Sequence, residues 1–118
     1  MGSQVEIYDA GSYLLMKAAS QYSLVNLTDL LDRAAQEAEK RDYGEVLLDL
    51  SAVAGSVPVL DMLVIGEHCA RVWKRTRKLA IVSAKGGLER FFEDVCVNRG
   101  VVLAVFPDQA AALAWLMI

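Results

Sequence analysis

A strand-length apolar run that leads directly into a helix constrains the fold of this chain more than any other feature. The run covers residues 46–50 and is followed by a short polar connection, 51–58, and by an apolar helical stretch from Val59. A continuous apolar run of this length is typical of a central parallel strand that is covered on both faces. Parallel strands need crossover connections, so the passage predicts an α/β sheet. It also predicts a functional loop at the edge of the sheet where the carboxyl ends of the strands lie.

The remaining patterns extend this prediction to a single domain over residues 1–118. Alternation at Val5 and Ile7, a turn at 9–12 and an apolar run at 13–16 predict an antiparallel β-hairpin at the start. Helical spacing of apolar residues predicts helices near 27–41, 58–75, 88–99 and 107–117, and short apolar runs predict strands at 79–82 and 101–106. This ββαβαβαβα order predicts a mixed, mostly parallel five-stranded sheet with about four helices.

Composition and charge narrow the classes of function. The chain is 55% hydrophobic and 23% charged, which is typical of globular proteins, and its net charge of −3 gives no general attraction for nucleic acid. Cys69 and Cys96 fall in predicted helices, and no signal peptide is recognised, so we expect reduced, buried thiols in a cytoplasmic protein. No apolar run approaches the roughly 18 residues of a membrane span.

Residues 47–53, Leu-Leu-Asp-Leu-Ser-Ala-Val, resemble the strand that precedes the regulatory loop of STAS domains, the anti-sigma-factor-antagonist group. Further similar segments lie at 78–82, 98–100, 105–106 and 112–116. In their order, the segments resemble uncharacterised bacterial STAS/SEC14-like (SpoIIAA-like) proteins over about residues 5–117. The resemblance implies a SpoIIAA-like fold.

STAS antagonists carry an Asp-Ser-Ser/Thr-Gly motif at the start of the helix after this strand, and a partner kinase phosphorylates its hydroxyl. That motif is absent here, where Val57, Pro58 and Val59 occupy the helix start. The nearest hydroxyl belongs to Ser56. No residue of this sequence therefore matches the phosphorylated hydroxyl of the family motif.

The strand end and the connection after it form the candidate partner loop, whose members are Asp49, Ser51, Gly55, Ser56, Val57 and Pro58. Ser56 is a candidate phospho-acceptor, because a phosphate near a helix N-terminus meets free N–H groups, but the pattern favours an N-cap. Ser51 is expected to cap the strand or to bond locally. Asp49 either binds a ligand or holds the loop through backbone N–H groups, and the second role is favoured.

A dense basic segment is formed by Arg71, Lys74, Arg75, Arg77 and Lys78. It is either a binding patch for an acidic or phosphorylated surface or the solvated end of a helix, where the dipole favours cations. The second interpretation is favoured, with Glu67 pairing with Arg71 across one turn. Trp73, inside the segment, fits the apolar face and is predicted to be a core residue.

The sequence predicts no catalytic residue, cofactor site or metal site. His68 is the only histidine and is expected on the surface, whereas Cys69 beside it is expected in the core. One histidine and two distant cysteines give no metal-ligand spacing. An enzyme would require Asp49, His68 or Cys69 to share one pocket.

Two functions are compatible with these patterns. The first is a non-catalytic protein-binding module that uses the candidate partner loop and the start of the next helix. The second, implied by the SEC14-like resemblance, is a carrier of a small apolar or amphipathic ligand in a cavity between helices and sheet. Such a cavity would be lined by Phe91, Phe92, Leu88 and Val95, although the favoured interpretation is that these residues fill the core.

A homodimer is also possible from the sequence. Apolar surface for it is offered by Tyr8, Tyr13, Tyr22 and residues 115–118.

Overall fold

The computed structural model describes residues 4–118 and shows one five-stranded sheet with helices on both faces. The strands are β1 (Gln4–Asp9), β2 (Leu14–Gln21), β3 (Glu45–Ala54), β4 (Lys78–Val82) and β5 (Val102–Phe106). The helices are α1 (Leu24–Arg41), α2 (Val59–Val72), α3 (Arg90–Asn98) and α4 (Gln109–Leu116). The strand order is β1-β2-β3-β4-β5, with β1 antiparallel to β2 and the other neighbours parallel. The predicted fold class is confirmed.

Alternation of side chains along the strands divides the core into two layers. On one face, α1, α2 and α3 pack over a large cluster that includes Leu14, Met16, Val46, Leu48 and Ile81. On the other face, α4 supplies Ala112 and Leu116 to a smaller cluster with Leu47, Ala80 and Val82. The middle strands β3 and β4 are thus covered on both faces, which explains their continuous apolar runs.

Three predicted element boundaries move for identifiable reasons. α1 begins at Leu24 because the Ser23 side chain accepts the Asn26 N–H at 3.0 Å and caps the helix. α2 ends at Val72 because Trp73 turns to an extended backbone and enters the core, as its side chain was predicted to do. β3 continues to Ala54 because β2 keeps pairing with it as far as Gln21.

A close helix contact sets the position of α2. An added Cβ at Gly66 would lie 2.5 Å from Cγ1 of Val95 in α3, a distance that real Cβ contacts do not show. Gly66 therefore allows the two helices to approach each other closely. No helix among residues 4–118 is long and apolar enough to cross a membrane.

Candidate functional site

The candidate partner loop is shorter than predicted, because β3 takes its first half. Ser51 lies inside β3 with an exposed side chain, and its N–H donates to Oδ1 of Asp49 at 2.9 Å. The connection that remains is residues 55–58. Ser51 therefore bonds locally, as predicted, but belongs to the strand rather than to the loop.

The short connection turns sharply and is tied down at its centre. Gly55 has a φ of +106°, which an L side chain rarely adopts. Val57 is buried, and its N–H donates to the carbonyl of Gly86 at 2.9 Å. The prediction that Val57 belongs to a contact surface is wrong, because its side chain is part of the core.

Ser56, directly before Val57, is exposed to solvent. The residue in the N-cap position of α2 is Pro58, which makes no side-chain cap hydrogen bond. Ser56 is therefore not the N-cap, and the favoured interpretation of this serine is wrong. Its role as a phospho-acceptor stays a prediction.

The first turns of α2 display large apolar side chains to solvent. Val59, Leu60 and Val64 are 61%, 76% and 45% exposed, and we call these three residues the α2 patch. Phe91, in the first turn of the neighbouring helix α3, is 43% exposed. The prediction that Phe91 belongs to the core is wrong, whereas Phe92 beside it is fully buried.

The start of α2 is fixed to the sheet by a hydrogen bond. The hydroxyl of Tyr22, just after β2, donates to Oδ2 of Asp61 at 2.7 Å. Burial and this carboxylate raise the pKa of Tyr22, so the phenol keeps its proton and remains a donor. The α2 patch therefore lies on a helix whose start is hydrogen-bonded to the end of β2.

Asp49 holds two parts of the fold together. It is 6% exposed, and its carboxylate accepts the Ser51 N–H and, at 2.6 Å, the Nε2–H of Gln109 in α4. Burial alone would raise the pKa of Asp49, but the bonds from Ser51 and Gln109 outweigh it and the pKa is lowered. Both oxygens are thus used within the protein, in the structural role that the sequence favoured.

Two members of the basic segment bind one glutamate of α1. Nζ of Lys74 lies 2.6 Å from Oε1 of Glu39, and a guanidinium nitrogen of Arg77 lies 3.2 Å from the same oxygen. Arg77 also donates through Nε to the carbonyl of Tyr43 at 2.8 Å. These bonds connect the chain that follows α2 to the second half of α1 and to the residues just after it.

The other members contact separate elements. Nζ of Lys78 donates to the carbonyls of Trp115 and Leu116 at the end of α4, each at 3.1 Å. Arg75 donates to the carbonyl of Arg99, and Arg71 approaches His68. Only Arg71 lies within α2, so the predicted solvated helix end is wrong. The segment connects several elements, while Arg71, Lys74 and Arg75 stay exposed. Its role as a binding patch stays a prediction.

Glu67 does not pair with Arg71 as predicted. Its carboxylate lies 3.1 Å from a guanidinium nitrogen of Arg99, at the end of α3. The pair joins α2 to α3 instead of stabilising one turn of α2 alone.

The space beneath the connection is too small for a ligand. Between Tyr22, Leu50 and Val57, the helix–sheet interface leaves a cavity of about 10 Å³. Ligand sites usually measure roughly 300–1,000 Å³, and one water needs roughly 10–15 Å³.

A larger groove of about 430 Å³ lies outside the core, between α1 and residues 72–77. Glu39, Lys74 and Arg77 on its rim already bind one another.

The three candidate catalytic residues lie in different places. Asp49 faces α4, whereas Cys69 is fully buried, and its pKa is raised by contact with Cys96 and by burial. His68 is half-buried at the surface between two helices, and its Nε2 lies 2.7 Å from Oδ1 of Asp32 in α1. Within residues 4–118, no three His, Cys, Asp or Glu side chains are grouped as metal ligands.

Two solved structures resemble this one over nearly the whole chain. An anti-sigma factor antagonist from Mycobacterium paratuberculosis matches with a TM-score of 0.69 at 14% identity, over 99% of this chain and 96% of that one. An uncharacterised DUF3478-family protein with a SpoIIAA-like fold, from Shewanella loihica, matches with a TM-score of 0.54 at 20% identity, over 98% and 94%. The chain has the SpoIIAA-like fold. Neither a family model nor a curated protein matches its sequence.

The predicted resemblance to the STAS and SpoIIAA-like group is confirmed for the fold. In this SpoIIAA-like domain, the start of α2 carries the α2 patch, whose exposure was not predicted from the sequence. The sequence does indicate this exposure, because residues 59–65 are apolar at every position except Asp61. A helix packed on one side cannot bury that many neighbouring apolar residues.

Proposed function

We propose that this SpoIIAA-like domain is a regulatory protein-binding module that performs no catalysis. Its contact surface is the α2 patch together with the exposed residues Ser56 and Pro58. The observation that carries the proposal is the exposure of Val59, Leu60 and Val64 at the start of one helix. Scattered apolar side chains are common on protein surfaces, whereas grouped ones are typical of interaction sites.

The energetics of burial support a protein as the partner. Fully burying one Val or Leu side chain contributes about 1.5–3 kcal/mol, so an exposed group of three is a substantial driving force for association. Apolar anchors surrounded by polar residues are typical of the centre of a protein interface. Asp61 and Glu67 on α2 provide polar neighbours for such an anchor.

The structural neighbours support the same class of function. One of them is named as an anti-sigma factor antagonist, a name that describes action on another protein. Fold likeness alone does not transfer a function, so the proposal depends on the surface of this chain. The separate positions of Asp49, His68 and Cys69 support the non-catalytic part. The cavity of about 10 Å³ gives no support to a carrier of apolar ligands.

Affinity capture from extracts of the native host tests the proposal. The matched pair of variants is Leu60→Asp in the α2 patch and Lys74→Glu in the basic segment, since both side chains are exposed. We expect the wild type and Lys74→Glu to retain a specific partner and Leu60→Asp to lose it. Val57 is unsuitable for this test because its side chain is buried.

A third variant, Ser56→Asp, tests regulation at the same surface. A negative charge there stands beside the α2 patch, so we expect weaker capture, as phosphorylation of Ser56 would cause. Absence of any specific partner, or a partner that Leu60→Asp retains and Lys74→Glu loses, would contradict the proposed surface.

A further inference from the structure

The two edge strands of the sheet differ in whether their backbone groups are covered. On β5, the N–H of Val105 donates to Oε1 of Glu93 at 2.8 Å. Just before β5, the N–H of Val101 donates to the carbonyl of Cys96 at 3.1 Å. Both acceptors come from α3, so this helix and its C-terminal end bind outward N–H groups at Val101 and Val105 along the β5 edge. Covering an edge is one way in which proteins prevent pairing with another strand.

The opposite edge, β1, is open. An antiparallel ladder alternates hydrogen-bonded and non-hydrogen-bonded pairs, and Ala10 donates its N–H to the carbonyl of Tyr13 at 3.0 Å. Counting back from Ala10, the backbone groups of Gln4, Glu6 and Tyr8 face β2, and those of Val5, Ile7 and Asp9 face outward. Within residues 4–118, no other strand pairs with this edge.

In one antiparallel register, the side chains of β1 pair Ile7 with Ile7 and Glu6 with Tyr8 of a second copy. With Ile7 opposite Ile7 of a second copy, Val5 lies opposite Asp9, and the outward N–H and C=O groups of all three residues find partners. In the same register, Glu6 lies opposite Tyr8 of the other copy. Tyr8 already donates its hydroxyl to Glu6 in its own chain at 2.8 Å, so the phenol and carboxylate are matched donor and acceptor.

Neighbouring registers match less well. A shift by one pairing step places Glu6 opposite Glu6, where like charges repel. A shift in the other direction pairs Tyr8 with Tyr8, but it places Ile7 opposite Asp9 and leaves Glu6 facing Ala10, so both Glu6–Tyr8 pairs are lost. The register centred on Ile7 therefore fits better than the adjacent ones.

We propose that β1 is the interface for a second copy of this chain, paired antiparallel about Ile7 so that one continuous sheet crosses a two-fold dimer. Val5 and Ile7 are only half-buried at the margin of the large core cluster, and the second copy covers them further. This surface is separate from the α2 patch and does not depend on the proposed partner.

Sedimentation velocity over about 10–500 µM protein tests the dimer, a range that detects micromolar association. We expect concentration-dependent dimerisation of the wild type. Tyr8→Glu places two carboxylates opposite each other and should weaken it at least tenfold, about 1.4 kcal/mol. Adding Glu6→Lys to Tyr8→Glu should restore it. Val102→Glu, an exposed residue on the covered β5 edge, should leave it unchanged.

Disulfide capture tests the register independently. Opposite residues of a non-hydrogen-bonded pair have Cα atoms about 4.5 Å apart, which suits a disulfide. A mixture of Glu6→Cys and Tyr8→Cys proteins should therefore cross-link under mild oxidation, and more than either variant alone. The native Cys69 and Cys96 are fully buried and do not compete.

A wild type that stays monomeric over this range would overturn the proposal. So would a dimer that Tyr8→Glu leaves intact, or a mixture that cross-links no more than its components. Circular dichroism of each variant checks the fold, which these exposed positions should not disturb.

Discussion

The side chains at the two ends of α2 differ in whether they have interaction partners within the domain. At its start, the α2 patch presents three apolar side chains that are 45–76% exposed. After its end, the basic segment is rich in charge, yet its cations bind Glu39, Tyr43 and the end of α4. Lys74, Arg77 and Lys78 are therefore engaged within the fold, whereas the apolar side chains at the start of α2 are largely left to solvent.

The difference shows that charge density in a sequence is a poor guide to a binding surface. Cations on the chain after a helix readily find carbonyls and carboxylates of neighbouring elements. Apolar side chains, in contrast, are satisfied only by burial, so their exposure on a well-anchored helix indicates a surface that another molecule covers.

The largest expected effect concerns the contact that holds α2 in place. Gly66→Ala brings a methyl group to 2.5 Å from Cγ1 of Val95, a stiff β-branched side chain. We expect a loss of about 2–3 kcal/mol in the free energy of unfolding, measured by urea denaturation. Val95→Ala combined with Gly66→Ala removes the clash and should lose less than the two single costs added together. Strict additivity would show that the two residues do not limit each other.

The next prediction compares a mostly buried cation, Arg77, with an exposed one, Lys74. Arg77 is mostly buried and donates to Tyr43, so Arg77→Ala should cost about 1–2 kcal/mol of stability. Lys74→Ala is the matched control, because it removes an exposed cation from the same glutamate and should cost at most about 0.5 kcal/mol. Equal costs in thermal or urea denaturation would contradict the structural role of Arg77.

Asp49, which ties the strand before the α2 patch to α4, should show a pH effect. Its pKa is lowered from the ordinary value of 3.8, so its stabilisation is present above that pH and is lost as the pH falls through the folded-state value. Asp49→Asn should cost about 1 kcal/mol at neutral pH and flatten the acid decline of stability. An unchanged acid decline in urea titrations below about pH 4 would contradict this role.

The smallest expected effect is at the α2 patch itself. Leu60 is 76% exposed, so Leu60→Ser should change the free energy of unfolding by no more than about 0.5 kcal/mol. A buried leucine would cost several times more. A large loss in urea denaturation would show that Leu60 serves the fold, and the contrast between the two ends of α2 would disappear.

The sequence was sufficient for the architecture but not for the site. Strand-length runs and helical spacing are local signals, so the element order and the buried β3 and β4 could be predicted. The partners of Asp49 and His68 could not, because Gln109 and Asp32 lie 60 and 36 positions away in the chain. Phe91 was misplaced because neighbouring residues of a helix point about 100° apart, so α3 can bury Phe92 while it exposes Phe91.

Amide hydrogen exchange of the domain with its captured partner decides whether the α2 patch is the contact surface, because it reports both ends of α2 in one experiment. We expect binding to slow exchange in residues 56–64 and to leave residues 71–78 unchanged. Slowed exchange confined to residues 71–78, with no change at the start of α2, would contradict the assignment of the contact surface to the α2 patch.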